Sequence, residues 1–491
     1  MKIYKTIIAA VATVMLAGCS SFLNVDNPGK NTIDKFFKDV SSLNSAGDGL
    51  FLSILKFYDD YTLYAELAGD MLNIQAVGSL ADESYSKAHN FEYIPEDNTA
   101  APRTLWIEGY TIVTNANNII AYAPGLLETS SSYRSTINRI VGYAYFSRAL
   151  AFFFLCQCYA QPYNYTDNAS HIGIPVITRV PGFDDVIARD PVSKVYSQIV
   201  SDLNTAYSLL KEMDSPDIYH ASSTACEALL ARVYLYMENW EQAARYAKNV
   251  MDKVPLSPNS QYRDMFRNPS AVPGDESILR VNHYDNLNSM TSASDPAGKY
   301  SVLPNPTIET YFDLDDIRKE MLTYVVEDYE TWETPGKRIP ALTKFLPYKN
   351  ISQVQLKYAY SFILRCSEMY LIHAEALCRG PQHDLAGAAE DLKALIARGR
   401  NIPSSSVSLS YASQSDMETL IERERIKELC FEGHRLFDIT RRKQDLVRSA
   451  QTSSKVRTIT YPDYRFVLPI CQLEMQANEH MKQNEGYSTN Y

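Results

Sequence analysis

Apolar residues recur at helical spacing through most of the chain. Patterning begins near Ser41, and over residues 104–122 Leu105, Ile107, Tyr110, Ile112, Val113, Ile119 and Ile120 keep a rough 3.6-residue period. Pro124-Gly125 predicts the end of this amphipathic helix. Residues 136–159 are apolar nearly all round through Ala149-Leu150-Ala151-Phe152-Phe153-Phe154-Leu155, the mark of a central core helix. The helical pattern resumes at Pro191, with Asp190 as the expected cap.

Between Thr224 and Met251 the pattern becomes a pair: Leu230, Ala231, Tyr234, Trp240, Ala243, Ala247 and Val250 recur around a turn at Glu238-Asn239. This is tetratricopeptide-repeat spacing, in which small Ala231 and Ala243 let two antiparallel helices approach and Tyr234 and Trp240 fill the groove between them. One such pair cannot bury its own face, so neighbours are required, and residues 362–379 followed by 386–397 read as another. A last helix over residues 416–442 carries Glu422, Arg423, Glu424, Arg425, Lys427, Glu428, Glu432, His434, Arg435 and Asp438. Its acids at i, i+4 would repel on a bare surface, so a structural ion network neutralised by the interleaved arginines is expected.

The fold class that follows is mainly α: a tetratricopeptide-repeat-like helical scaffold with repeats at about 104–160, 191–253, 362–400 and 414–448. Residues 161–182 read as loop, with a short extended piece at Ile172-Gly173-Ile174-Pro175-Val176. Two longer stretches, about 69–102 and 254–361, lack periodicity and concentrate Pro, Asn and aromatics. Irregular chain of that length inside an ordered domain usually carries function.

The N-terminus changes the picture. Lys2 and Lys5 precede an apolar run too short to span a membrane, which ends at Leu16-Ala17-Gly18-Cys19. Residues 1–18 are therefore expected to be a lipoprotein signal peptide, Cys19 the lipidated residue, 19–40 a tether and 41–491 one domain. A net charge of -11 without a Lys/Arg block argues against nucleic acid and favours a neutral ligand. Of the eight cysteines, those beyond Cys19 are odd in number, and Cys156, Cys158, Cys226 and Cys430 sit in apolar helical patterns, so buried free thiols are expected. The eight histidines are not grouped at ligand spacing, and no metal site or cofactor is expected, a structural calcium ion being left open.

Several segments, in order, resemble the SusD-like (RagB/SusD) family of outer-membrane nutrient-binding lipoproteins. They are the lipobox with Ser20-Ser21-Phe22-Leu23; Trp106, Tyr110 and Asn115 to Ile119; Arg148-Ala149-Leu150-Ala151-Phe152-Phe153 leading to Ile174-Pro175-Val176; and Val195-Tyr196 to Asp202-Leu203. The match continues through Ala228-Leu229-Leu230-Ala231-Arg232, Leu364-Arg365 with Glu368, Glu375, Glu424-Arg425 with Glu428, Glu432-Gly433-His434-Arg435-Leu436-Phe437-Asp438 and Leu468-Pro469-Ile470. The resemblance implies about four tetratricopeptide-type repeats with the ligand-binding region opposite. It also implies a SusC-like TonB-dependent outer-membrane barrel as partner, over which the lipoprotein sits as a lid facing the cell exterior. Two departures stand out: no acidic residues directly follow Cys19, and Gln157-Cys158-Tyr159-Ala160-Gln161-Pro162 replaces the usual Tyr-Gly-Asp-type corner.

Sugar recognition needs flat aromatic faces and planar polar groups. Of three tryptophans, Trp106 and Trp240 fall in helical patterns, which leaves Trp332, in a polar loop, as the expected platform. Tyr284, Tyr85, Tyr93 and Tyr348 are further candidates, with Asn73, Asn282, Asp285 and Asn286 as polar contacts. So few tryptophans keep peptides open as the ligand instead of a glycan. A glycoside hydrolase would need two carboxylates about 5–10 Å apart, and no motif organises Asp315, Asp316, Glu327 or Asp328 in that way. A plain repeat scaffold recruiting other proteins is the remaining class.

Overall fold

The computed structural model describes residues 33–74, 83–97, 100–182, 185–213, 218–266, 275–282, 302–325, 338–340, 342, 344–345 and 360–488. The helices that build the scaffold are α1 (Val40–Ala68), α2 (Glu83–Asn90), α3 (Ala101–Thr129), α4 (Arg134–Tyr159), α5 (Val192–Leu210), α6 (Ser223–Tyr236), α7 (Trp240–Met251), α8 (Cys366–Arg379), α9 (Leu385–Arg400), α10 (Gln414–Leu429) and α11 (Arg435–Arg441). From α3 to α9 each packs on its successor, while α10 closes the row against α8 and α9 and α1 lies across α3 and α4. Stacked repeats bury a continuous core in this way. Between α3 and α4 the approach is close at Gly109, where a Cβ would stand 2.6 Å from Leu155.

The α4 helix is apolar enough to cross a membrane, but it is buried inside the row, with Phe152, Phe153, Phe154 and Leu155 at 0–1% exposure. The α6–α7 pair follows the expected repeat, with Ala231 and Ala243 buried at the crossing and Tyr234 stacked on Tyr246. Trp240 is half-buried under the Arg379 guanidinium, whereas Trp106 is core. The seven described cysteines are buried free thiols.

Several boundaries differ from the sequence pattern. α3 runs through Pro124 and Gly125 to Thr129, because losing one N–H near a helix end is offset by burial of Ala123 and Leu126. Asp190 does not cap α5; its carboxylate accepts from the Val176 N–H and from Lys194, and Ile172 bridges Pro191. Residues 362–365 belong to strand β6 (Tyr360–Arg365), which pairs antiparallel with β2 (Ser277–Asn282), so α8 starts only at Cys366. The single helix expected over 416–442 is broken between α10 and α11, where Phe431 and Gly433 take positive φ of 67° and 82°. Gly433 fits there because a Cβ would meet the Thr62 backbone at 3.3 Å. The stretches expected to be irregular carry α2 within 69–102 and short strands within 254–361: β3 (Val302–Pro304) pairs with β1 (Leu72–Ile74), and β4 (Thr323–Val325) with β5 (Arg338–Pro340).

The acids of α10 are neutralised partly from within the segment, Glu422 by Arg435 and Arg442 and Glu424 by Lys427, and partly by cations brought from elsewhere. Glu428, fully buried, accepts from Arg365 at 2.6 Å, Arg398 at 2.7 Å, Arg318 at 2.7 Å and the Tyr262 hydroxyl at 3.0 Å. Arg318 also holds Glu424 and Asp316, and Arg365 also holds Glu276 and Glu432. Of the interleaved arginines, Arg423 donates to Tyr311 O, Arg425 pairs with Asp438, and Arg435 pairs with Glu422 and Asp70. The guanidiniums hold Glu428 and Glu375 well below the usual carboxylate range and lower Glu432 as well, against the upward push of burial.

Glu66 is the opposite case. It is 0% exposed, accepts from the Gly433 N–H at 2.8 Å, and burial pushes its carboxyl up to about 8. The unfolded chain releases this proton above about pH 4.5 while the folded chain keeps it, so stability declines as pH rises from there to about 8 and then levels. Depressed Glu428, Glu432 and Glu375 act with the other sign: their contribution is present above the ordinary carboxylate range and is lost as pH falls below it. Glu66→Gln should therefore raise the melting temperature at pH 8, with a gain that shrinks toward pH 5. Thermal unfolding of both forms across that range checks it, and a pH-independent difference would contradict it.

Candidate functional site

One face of the scaffold gathers the end of α1, the β1–β3 ladder, α2 and the start of α3. Its frame is rigid because buried Arg448 donates to the carbonyls of Ala68, Gly69, His89 and Val456, with Ser454 also in reach, so one cation ties the C-terminal end of α1 to α2 and to the 446–459 hairpin. His89 bridges Leu67 O and Ser453 Oγ, and burial, helped by the Arg448 charge, lowers its imidazole to about 4, so it is neutral at physiological pH.

Asp60, Leu63, Tyr64 and Leu67 of α1, Ser84 and Tyr85 of α2, then Tyr93, Ala100, Ala101 and Thr104 enclose a cavity of about 220 Å³ on this face. Tyr85 is half-buried; Tyr93 is 8% exposed, donates its hydroxyl to Ser84 O, and sets its ring 6.3 Å from that of Tyr64. Two of the expected aromatic contacts thus share one wall. Tyr64 and Asp60 were not anticipated, since both lie inside the apolar run of α1; the signal was the acidic pair Asp59-Asp60 interrupting it.

Burial raises both Asp60 and neighbouring Glu108, the Asp60 charge adding to the rise at Glu108 while Lys56, 2.7 Å from Glu108, opposes it. Asp315 is paired with Arg400 and Asp316 with Arg318. Among the described residues no group of three or more His, Cys, Asp or Glu could hold a metal ion.

Asn73 is committed to the frame: its amide donates to Gln451 O at 3.0 Å and accepts from Ser453 N–H at 3.1 Å, which clasps the turn at 449–454 to β1. Asn282 ends β2 opposite Tyr360, and its side chain is outside the described set. Cys19, Tyr284, Asp285, Asn286, Trp332 and Tyr348 lie outside the described residues, as do Glu327 and Asp328.

Two family models match the chain in order. The model described as SusD-like, "Starch-binding associating with outer membrane", covers residues 55–235, and the SusD family model covers residues 333–487. The chain belongs to the SusD family. A curated relative, SusD-like protein P2 of Formosa agariphila, is 24% identical over 99% of this chain and 100% of its own length. A SusD superfamily protein of Bacteroides thetaiotaomicron superposes with a TM-score of 0.77 at 22% identity, over 91% of this chain and 99% of that one. A laminarin-binding SusD-like protein superposes at 0.69 and 21% identity, over 92% of this chain and all of the other. The structural likenesses show that this SusD-family chain has the family's helical, tetratricopeptide-like fold.

The clasp role of Asn73 is testable. Asn73→Ala removes two hydrogen bonds to backbone and should lower the unfolding free energy by about 1–2 kcal/mol in urea titrations. No loss of stability would return Asn73 to the pool of free contacts.

Proposed function

We propose that the protein is a surface lipoprotein, anchored through Cys19, that binds a glycan and delivers it to a TonB-dependent outer-membrane barrel, over which it acts as a lid, without catalysing a reaction. The observation that carries this reading is the ordered match of two SusD-family models to the two halves of the chain, one of them described as starch-binding and outer-membrane-associating. The laminarin-binding relative supports a carbohydrate over a peptide. The state of the acids supports binding over chemistry. Glu424, Glu428, Glu432 and Asp438 are locked to guanidiniums or to Lys344 and Lys427, which makes them poor general acids.

Recognition by shape and hydrogen bonding suits a face whose frame is fixed before ligand arrives, as the Arg448 and Asn73 ties arrange here. The sequence candidates Trp332, Tyr284, Asp285, Asn286 and Tyr348 are proposed as ligand contacts alongside Tyr85 and Tyr93.

The test is calorimetry on the chain lacking residues 1–19, titrated with host and plant oligosaccharides and separately with a mixed peptide digest. Saturable binding of one glycan class, weakened at least about tenfold by Trp332→Ala and with no product on long incubation, is the expected result. Binding of peptides alone, or turnover of the glycan, would overturn it.

A further inference from the structure

A groove of about 540 Å³ lies on another part of the molecule, between the outward face of α3, the chain after Gly173 and the C-terminal segment. Tyr110, Ile107 and Asn115 come from α3, Ile177 and Ile187 from the facing loop, and Glu474 and Asn478 from the C-terminal side. The groove is built before any ligand arrives. Buried Asn117 donates to Ile177 O at 2.9 Å and Arg179 O at 3.0 Å, Tyr110 to Pro175 O at 2.9 Å, and Asn478 to Ile187 O at 2.9 Å, so the loop is tied to both neighbours.

Its polar groups have a distinctive state. Asn115 is half-buried and its side chain forms no hydrogen bond among the described residues, which leaves a planar amide free at the groove wall. Glu474 accepts from the Trp106 indole N–H at 3.3 Å and from Asn478 at 3.4 Å, two neutral donors, so its carboxylate keeps acceptor capacity, and no cation among the described residues pairs with it. Asp185 on the rim is already held by Arg179 and the Gly182 N–H. Between these groups Ile107, 45% exposed, and the two loop isoleucines offer apolar surface.

We propose that this groove is a second saccharide site, taking a short neutral oligosaccharide. The proposal rests on the glycan-binding reading above and deepens it. A free amide and a carboxylate each meet adjacent hydroxyls, the apolar wall takes the C–H face of a ring, and the volume suits a ligand of that size. The uncompensated Glu474 disfavours uronic acids and other anionic sugars. The α3 wall is helical and offers no open strand edge, so an extended peptide would find no backbone ladder there.

The test uses the chain lacking residues 1–19, with neutral gluco-, manno- and galacto-configured trisaccharides and trigalacturonate as probes. Calorimetry gives stoichiometry, and hydrogen exchange shows where amides are protected. The neutral probe that binds should occupy two sites and protect residues 105–116, with trigalacturonate absent from that segment. Asn115→Ala should weaken one of the two sites about tenfold, and Ile107→Arg, at an exposed position, should abolish it and its protection without moving the melting temperature. If both variants bind as the parent does, or protection falls only elsewhere, the groove is not a saccharide site while glycan binding itself stands. If no trisaccharide binds at all, this site falls, and the glycan reading is decided separately by the wider oligosaccharide panel.

Discussion

A carboxylate buried among three guanidiniums ties together every segment that supplies one. Glu428 draws Arg318, Arg365 and Arg398 to one point, from a short turn, from β6 and from α9 respectively. Moving charges out of water costs several kcal/mol each, recovered only with near-complete pairing. The second carboxylates on Arg365 and Arg398, above all Glu276 beside β2, complete it. The β2–β6 pair, α8, α9 and α10 can therefore dock only in one register. Arg148–Asp202 does the same for α4 and α5, Arg232–Glu368 for α6 and α8, and Arg441–Glu375 for α11 and α8.

This constraint links fold to function by position. The strand pair anchored by Arg365 leads at Asn282 into the segment that carries Tyr284, Asp285 and Asn286, and the turn around Arg318 precedes the one that carries Trp332. Long binding loops are useful only if their ends are held still. Here β6, the partner of β2, is held by the Arg365 ion pairs, and β1, the partner of β3, is tied to the 449–454 turn by Asn73. The repeats supply the support, and the proposed recognition residues are carried on the segments that the anchored strands and turn lead into.

Most of the scaffold was legible because helical periodicity is a local signal: the α4 core helix and the α6–α7 pair can be read from spacing alone. What was not legible was long-range. Strand β6 looks helical until its distant partner β2, with Ser277 opposite Arg365 and Asn282 opposite Tyr360, is known. The α10–α11 break depends on Gly433 packing against Thr62 of α1, and the Asp190 carboxylate is drawn away from its helix by the Val176 N–H. An ion network was expected from the charge pattern of α10, yet its partners could not be, since the nearest arginines in sequence are not the ones that bind Glu428. The same limit applies to the site. Tyr85 and Tyr93 were readable as aromatics in an irregular stretch, but their company with Tyr64 and Asp60 depends on how α1 lies.

The claim on which the rest depends is that Glu428 holds distant segments as one unit. Glu428→Gln, which leaves three guanidiniums short of a buried charge, measures it by hydrogen exchange across the whole chain. The account predicts a loss of about 3–5 kcal/mol, with protection falling together in the segments around Glu276, Arg318, Arg365 and Arg398 while α3 and α4 keep theirs. Loss of protection confined to α10 would contradict it.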